Sequence, residues 1–313
     1  MNTTAISFKS NKVSDIVVRF HTVLDPLYGH AEVQAFVEIL FGAFLGWDRT
    51  RLLLARHDTI DQSDLLRLHW ALHDLEHYRP VQHIVGHVDF CGCHIEVGPS
   101  VLIPRPETEE LVAALARSPR WGKEGPRHVL DLCTGSGCIA IALKRAWPAA
   151  QVSALDLSAT ALATARRNAE ANTAQVTFVQ ADLLQWPAEQ PGLAADWQPS
   201  PAAQLGLAAG AKADLIVSNP PYVRQSESAA MSPNVLDYEP HAALFVPDDS
   251  PLLFYQAIGR VAQAHLAPGG LLALEINAAL SGETLELIAS MGFDAQLRHD
   301  FRGNPRFVAA TPV

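Results

Sequence analysis

The stretch VLDLCTGSGCIAIAL, residues 129–143, decides the architecture of this chain. It starts as a short Val/Leu run, turns through Gly135 and Gly137, and continues as an apolar segment of helical character. A strand, a glycine turn and a helix in that order open a βαβ unit. Gly135 and Gly137 let the backbone approach a ligand closely and present N–H groups to it. Asp131, at the strand end, can accept hydrogen bonds from an amine or a hydroxyl.

Further along, QVSALDL reads as the second strand and carries Asp156 at its end. A carboxylate about 20 residues beyond such a turn takes the two hydroxyls of a ribose. VTFVQAD is a third strand leading to Asp182, a polar group placed where an adenine could be held. ADLIVSN, GLLALEI, FDAQLRHD and RFVAATPV are further strands, and SATALATARRNAEAN, DDSPLLFYQAIGRVAQAHL and SGETLELIASM are helices. Short Val/Ile/Leu runs alternating with helices predict an open, mostly parallel, doubly wound sheet. GSGCIA also satisfies the dinucleotide pattern GxGxx(G/A), so a nicotinamide-dependent oxidoreductase is a rival reading. Asp131 lies where a pyrophosphate would come near, and Asp182 adds a second acid. An aminoacyl sulfonium, with an amine, a positive sulfur and no phosphate, suits such an acidic pocket better.

A second motif, SNPPYV at 218–223, follows the fourth strand of this alternation. Ligands of open α/β sheets sit beyond the carboxyl ends of the strands, where strand order reverses. Asn219 and Tyr222 are therefore expected to face whatever the glycine turn holds. Pro220 and Pro221 fix φ and donate no hydrogen bond, so their carbonyls point in set directions. A planar NH2 group has two protons to be held. The Asn219 side-chain oxygen can take one and the Pro220 carbonyl the other, with Tyr222 against the flat face. An amide nitrogen is a poor nucleophile, so positioning is the main lever, able to contribute about 7–11 kcal/mol. As that nitrogen becomes cationic, the same acceptors bind it more strongly. No dedicated general base is required.

Upstream, residues 10–78 show helical periodicity, with Asp61 and Ser63 as candidate N-caps of a third helix. After Pro80, residues 81–98 alternate around central glycines and predict a β-hairpin. The expected division is a helical domain over 1–79, a linking hairpin over 80–100, and the α/β domain over 101–313. IPRP reads as extended, and Thr108 as a helix start with Glu109 and Glu110 in its first turn. Glu107, Glu109 and Glu110 are read as helix-start charges rather than catalysts. Residues 186–213, rich in Ala, Pro and Gly without a period, predict a mobile surface insertion.

The bulk properties narrow the function classes. The 313 residues carry a formal charge of -10 and no Lys/Arg run, which disfavours direct nucleic-acid binding. The four cysteines, Cys91, Cys93, Cys133 and Cys138, lack zinc-ribbon spacing and read as free thiols. The N-terminus has no apolar core of a leader, and no run of 18 apolar residues follows, so a cytoplasmic protein without a membrane segment is expected. His69, His73 and His77 recur on one helical face, but no Cys or acidic cluster accompanies them; no metal is expected.

DLCTGSG, the Asp156 strand end and NPPY together resemble class I S-adenosylmethionine-dependent methyltransferases acting on planar amino groups. LIPRPETEELV, with RPVQHIVGHVDFCG before it and DYEPHAALFVPDDS after NPPY, is similar to the peptide chain release factor N5-glutamine methyltransferases. The similarity runs from about residue 20 to the end, apart from 186–213. It implies a class I methyltransferase-like, seven-stranded, mostly parallel sheet behind a small helical domain and a hairpin that help grip a release factor. It implies methyl transfer to the glutamine of the GGQ tripeptide of class 1 release factors. It places the methionine part of the cofactor on Cys133, Thr134, Gly135, Ser136 and Gly137, with Asp131 near its amine. Asp156 would bind the ribose, and Asp182 and Leu183, or Trp186, would border the adenine. Ile103 and Arg105 would line the pocket, and Asn219, Pro220, Pro221 and Tyr222 would hold the glutamine. Many relatives carry Gly at the place of Cys133, and CTGSGCIAIA is also similar to the ribosomal protein L3 glutamine methyltransferases, which usually lack the RPETEE run. That enzyme is the nearest rival; nucleic-acid amino-methyltransferases and a non-catalytic S-adenosylmethionine sensor are further ones.

Overall fold

The computed structural model describes residues 8–185 and 212–313. The expected insertion, apart from its last two positions, and Trp186 lie outside the described residues. The chain divides into two compact units: one runs to Gly86 and includes Ser232–Tyr238, the other is His87–Met231 with Glu239–Val313.

The first unit holds α1 (Val13–Tyr28), α2 (His30–Leu45), α3 (Arg49–Leu54), α4 (Gln62–Glu76) and α5 (Val81–Val85). Val13, Ile16, Phe20 and Leu24 recur every three or four positions, so α1 buries a single stripe. That stripe packs with Val37, Leu40 and Phe41 of α2 and Leu68 and Leu72 of α4. Asp61 caps α4 by accepting the Asp64 N–H, whereas Ser63 caps nothing and gives its hydroxyl proton to Asp61.

The stretch expected to be all hairpin is in part helical. Val81–Val85 forms a helical turn, entered from Pro80 and stopped at Gly86 with φ +89°. Five residues are too few for periodicity to separate a helical turn from a strand. Only β1 (His87–Phe90) and β2 (Cys93–Glu96) make the hairpin, and both belong to the second unit.

In the second unit, α6 (Pro106–Ala116) precedes β3 (His128–Leu132), α7 (Cys138–Ala146), β4 (Gln151–Asp156), α8 (Ala159–Ala171) and β5 (Val176–Gln180). Then come β6 (Ala213–Ser218), α9 (Leu253–His265), β7 (Leu266–Glu275), α10 (Ser281–Ser290), β8 (Phe293–His299) and β9 (Pro305–Pro312). One seven-stranded sheet has the order β8-β9-β7-β6-β3-β4-β5. β5, β4, β3, β6 and β7 pair in parallel, and β9 runs antiparallel to both its neighbours. Successive strand residues face opposite sides. Val129, Ala154 and Val217 meet Ile139 and Leu143 of α7 on one face; Leu130, Leu155 and Ile216 meet Ile258 and Val261 of α9 on the other. Burial on both faces is why these strands read as continuous apolar runs.

The hairpin docks on α8. Asn168 accepts the Glu96 N–H and donates to the Glu96 carbonyl, and Asn172 does the same for His94. Among the described residues no helix is long and apolar enough to cross a membrane.

Candidate active site

β3 pairs with β4 on one side and β6 on the other, so the strand order reverses at β3. The crevice beyond this reversal is the expected ligand position. A cleft of about 250 Å³ opens there, bounded by Arg105, Thr134, Gly135, Asp156, Asp182 and Asn219. Cys133, Ser136, Leu183 and Pro221 also face it.

One wall is the glycine turn. Cys133, Gly135 and Gly137 all have positive φ, at +62°, +55° and +82°. A Cβ on Gly135 would meet nothing within 4 Å, so this position faces open space. A Cβ on Gly137 would lie 3.1 Å from both the Ala165 Cβ and the Ile141 Cδ1. Gly137 therefore serves the packing of α7 on α8 and is not part of the cleft lining. Asp156 accepts the Gly135 N–H at 2.8 Å on Oδ2 and the Ser158 N–H at 2.9 Å on Oδ1. Burial raises its pKa, and these two N–H groups act against that rise. A phosphate at this turn would compete with a carboxylate already holding the Gly135 N–H, which argues against the dinucleotide reading.

Asp131 sits behind the turn rather than in the cleft. It is fully buried, and its Oδ2 accepts the Thr134 hydroxyl at 2.5 Å and the Ala140 N–H at 3.2 Å. Its Oδ1 has no partner among the described residues, and burial pushes its pKa up to about 7. Asp131 thus grips the turn itself through Oδ2. Ile103 is likewise buried and outside the lining; its main-chain N–H donates to Glu239 at 3.0 Å. Arg105 does face the cleft and donates to the other Glu239 oxygen at 2.5 Å. The Glu239 side chain is 1% exposed and holds the IPRP segment to the loop that follows NPPY. Asp182 accepts the Leu184 N–H and the Gln185 side-chain amide, shaping the turn after β5.

The other wall is NPPY. Asn219 is half-buried at the cleft, and Pro221 lines it. Pro220 and Tyr222 lie outside the lining. Tyr222 turns into the unit and donates its hydroxyl to Glu275 Oε1 at 3.0 Å. Burial, then the Glu275 charge, drives its pKa far above the ordinary phenol value, so it is a neutral hydroxyl near neutrality. Tyr222 is thus tethered through its hydroxyl, and its ring is half-buried. Asn219 donates Nδ2–H to Thr108 Oγ1 at 3.0 Å, and Thr108 donates its hydroxyl to Glu275 Oε2 at 2.7 Å. Sequence reasoning missed Glu275 altogether. Its signal was available: like Asp156, it is an acid ending a buried strand, β7. Asn277 was missed too; its amide donates to the Tyr222 carbonyl at 3.0 Å.

The helix of the PETEE run starts at Pro106, two residues before the expected Thr108. Glu109 accepts the Cys91 N–H and Glu110 the Phe301 N–H, both structural duties. Among the described residues, the group whose ligand atoms converge is His21, Asp25 and His30, not the series on α4. His69 is buried, and His77 Nδ1 lies 2.7 Å from the His73 carbonyl.

The donor set fits an aminoacyl sulfonium nucleoside: a carboxylate at the second strand end, an open glycine position, and apolar Leu183, Leu184 and Phe254 for a flat base. The family model described as "Methyltransferase domain" matches residues 129–222. With this sheet order and cleft, the second unit is a class I S-adenosylmethionine-dependent methyltransferase domain. The model described as "PrmC N-terminal domain" matches residues 27–86. The release factor glutamine methyltransferase of Flavobacterium psychrophilum is 37% identical over 93% of this chain and 95% of its own length. That of Bacteroides thetaiotaomicron is 38% identical over 92% of this chain and 95% of its own length. The chain belongs to the release factor glutamine methyltransferase family.

Proposed function

We propose that this protein transfers the methyl group of S-adenosylmethionine to the side-chain nitrogen, N5, of the glutamine in the GGQ tripeptide of class 1 release factors. The cofactor when bound supplies an electrophilic methyl carbon on a sulfonium. Asp156 would accept the ribose hydroxyls, Cys133–Gly135 would cradle the methionine part, and Asp182 and Leu183 would border the base. Arg105, its charge compensated by Glu239, would sit at the rim. The observation that carries the reading is Asn219 at the cleft with its NH2 end engaged by Thr108. The carboxamide oxygen is thereby left for a substrate N–H, and the Pro220 carbonyl would take the second. Held so, the amide nitrogen is aimed with its lone pair toward the methyl carbon. The N–C bond forms as the S–C bond breaks, and the nitrogen then releases a proton to water. The helical unit would contact the body of the release factor.

The test is transfer of labelled methyl to an intact release factor and to one with the GGQ glutamine replaced by alanine, beside ribosomal protein L3 and bulk RNA. Label is expected on the intact release factor alone. Label on the Gln→Ala factor, on L3 or on RNA would reassign the substrate.

A further inference from the structure

A carboxamide has two ends of nearly equal size, an oxygen that only accepts and an NH2 that only donates. Asn219 can bind a substrate NH2 only in the flip that turns its oxygen to the cleft; the other flip sets N–H against N–H. We propose that Thr108 and Glu275 are positioning residues that lock Asn219 in the productive flip through a one-way chain of hydrogen bonds. This rests on the Asn219 role proposed above.

The polarity of the chain follows from counting protons. Thr108 has one hydroxyl proton, directed to Glu275 Oε2 at 2.7 Å. Its oxygen can then only accept, so the atom of Asn219 facing it at 3.0 Å must be the donor, Nδ2. Glu275 in its ionised form cannot reverse the direction, its other oxygen receiving the Tyr222 hydroxyl at 3.0 Å. A carboxylate that accepts at both oxygens has no proton to return. Thr108 is 2% exposed and Glu275 1% exposed, so bulk water has little access to either group. In the low-dielectric interior the wrong flip would face two lone pairs with no compensation. The arrangement explains why Thr108 of the PETEE run, at the cleft, and Glu275, an acid ending β7 outside its lining, converge beside NPPY.

Thr108→Val keeps the shape and removes the hydroxyl. It should lower kcat about 10–100-fold, the scale of one lost buried hydrogen bond, with the affinity for S-adenosylmethionine unchanged. Thr108→Ser should restore most of it. Glu275→Gln, also isosteric, can satisfy Tyr222 with its oxygen while offering N–H to Thr108. Thr108 would then give its proton to Asn219 and turn the amide, so a comparable loss is expected. The decisive arm is a double-mutant cycle with Asn219→Ala. Thr108→Val should cost nothing further in that background, because no flip remains to be set. A wild-type kcat in Thr108→Val or Glu275→Gln, or additive losses in the cycle, would overturn the positioning role while leaving the site reading intact. Unchanged turnover in Asn219→Ala alone would instead remove the site reading on which it rests. If Thr108→Val does not fold, the same cycle is run with Glu275→Gln.

Discussion

The two walls of the cleft are built in different ways. The cofactor wall is local: Gly135 and Asp156 are 21 positions apart, within one strand–turn–helix–strand unit. The substrate wall is distant: Asn219 reaches Thr108 across 111 positions, and Thr108 reaches Glu275 across 167. A local wall forms whenever its βαβ unit forms. The distant one exists only after β6 has paired with β3 and β7 with β6, and α6 has settled near their ends. A substitution in the first should therefore act mainly on cofactor affinity. One in the second should act mainly on turnover.

The largest expected effect is on the first wall. On the ribose role proposed for it, Asp156→Ala removes two acceptors for the hydroxyls and also releases the Gly135 N–H. At roughly 1.5–3 kcal/mol for each hydrogen bond to a charged group, the cofactor Kd should rise at least about 100-fold. Isothermal calorimetry reads this directly, and equal affinity would break the ribose assignment. The rate at saturating cofactor should change far less, which is the opposite of the split expected for Thr108→Val.

Next in size is a pH effect from behind the same wall. The Asp131 pKa rises from an ordinary 3.8 to about 7 through burial. Between those values the native state holds a proton that the unfolded state has lost, so stability falls as pH rises from 4 to 7 and levels off above. At about 1.4 kcal/mol per pH unit the fall is roughly 4 kcal/mol. Asp131→Asn can keep both acceptor bonds, to Thr134 and Ala140, through its own oxygen. Denaturant titrations at pH 5 and pH 8 should show the wild type losing about 3 kcal/mol relative to Asp131→Asn. Parallel pH dependences would show that Asp131 is ionised in the native state throughout.

The smallest effects sharpen the comparison within the turn. Gly137→Ala combines a left-handed backbone with contacts at 3.1 Å and should cost about 2–3 kcal/mol. Gly135→Ala has the backbone strain alone, about 1 kcal/mol, but its methyl points into the open cleft and should weaken cofactor binding more than Gly137→Ala does. Thermal denaturation beside a cofactor titration separates the two. Equal losses of stability would contradict the division of labour between these glycines.

Much of the fold could be read from residues alone, because apolar strands buried on both faces and amphipathic helices announce themselves by period. The misreadings share one cause. Val81–Val85 was too short for a period to decide between turn and strand. Asp131 and Tyr222 were placed in the cleft because their positions at strand ends are the right ones. Whether a side chain at such a position turns toward the ligand or toward the protein depends on its hydrogen-bond partners, close in the chain for Asp131 and distant for Tyr222. For Asp131 these are the Thr134 hydroxyl and the Ala140 N–H; for Tyr222 the partner is Glu275. Thr108 was read as a helix-start residue, yet its hydroxyl is committed to Glu275.

By itself, then, the order of residues determined the doubly wound sheet, the glycine turn, the acid that ends the second parallel strand and the family to which the chain belongs. Each of these depends on chemistry within a few tens of positions, where spacing and geometry are nearly the same thing. Only the tertiary structure decided that Glu275 stands behind the site and that the Asn219 amide meets Thr108. Those choices are made where segments far apart in the chain meet in a dry interior and every buried proton must have an acceptor.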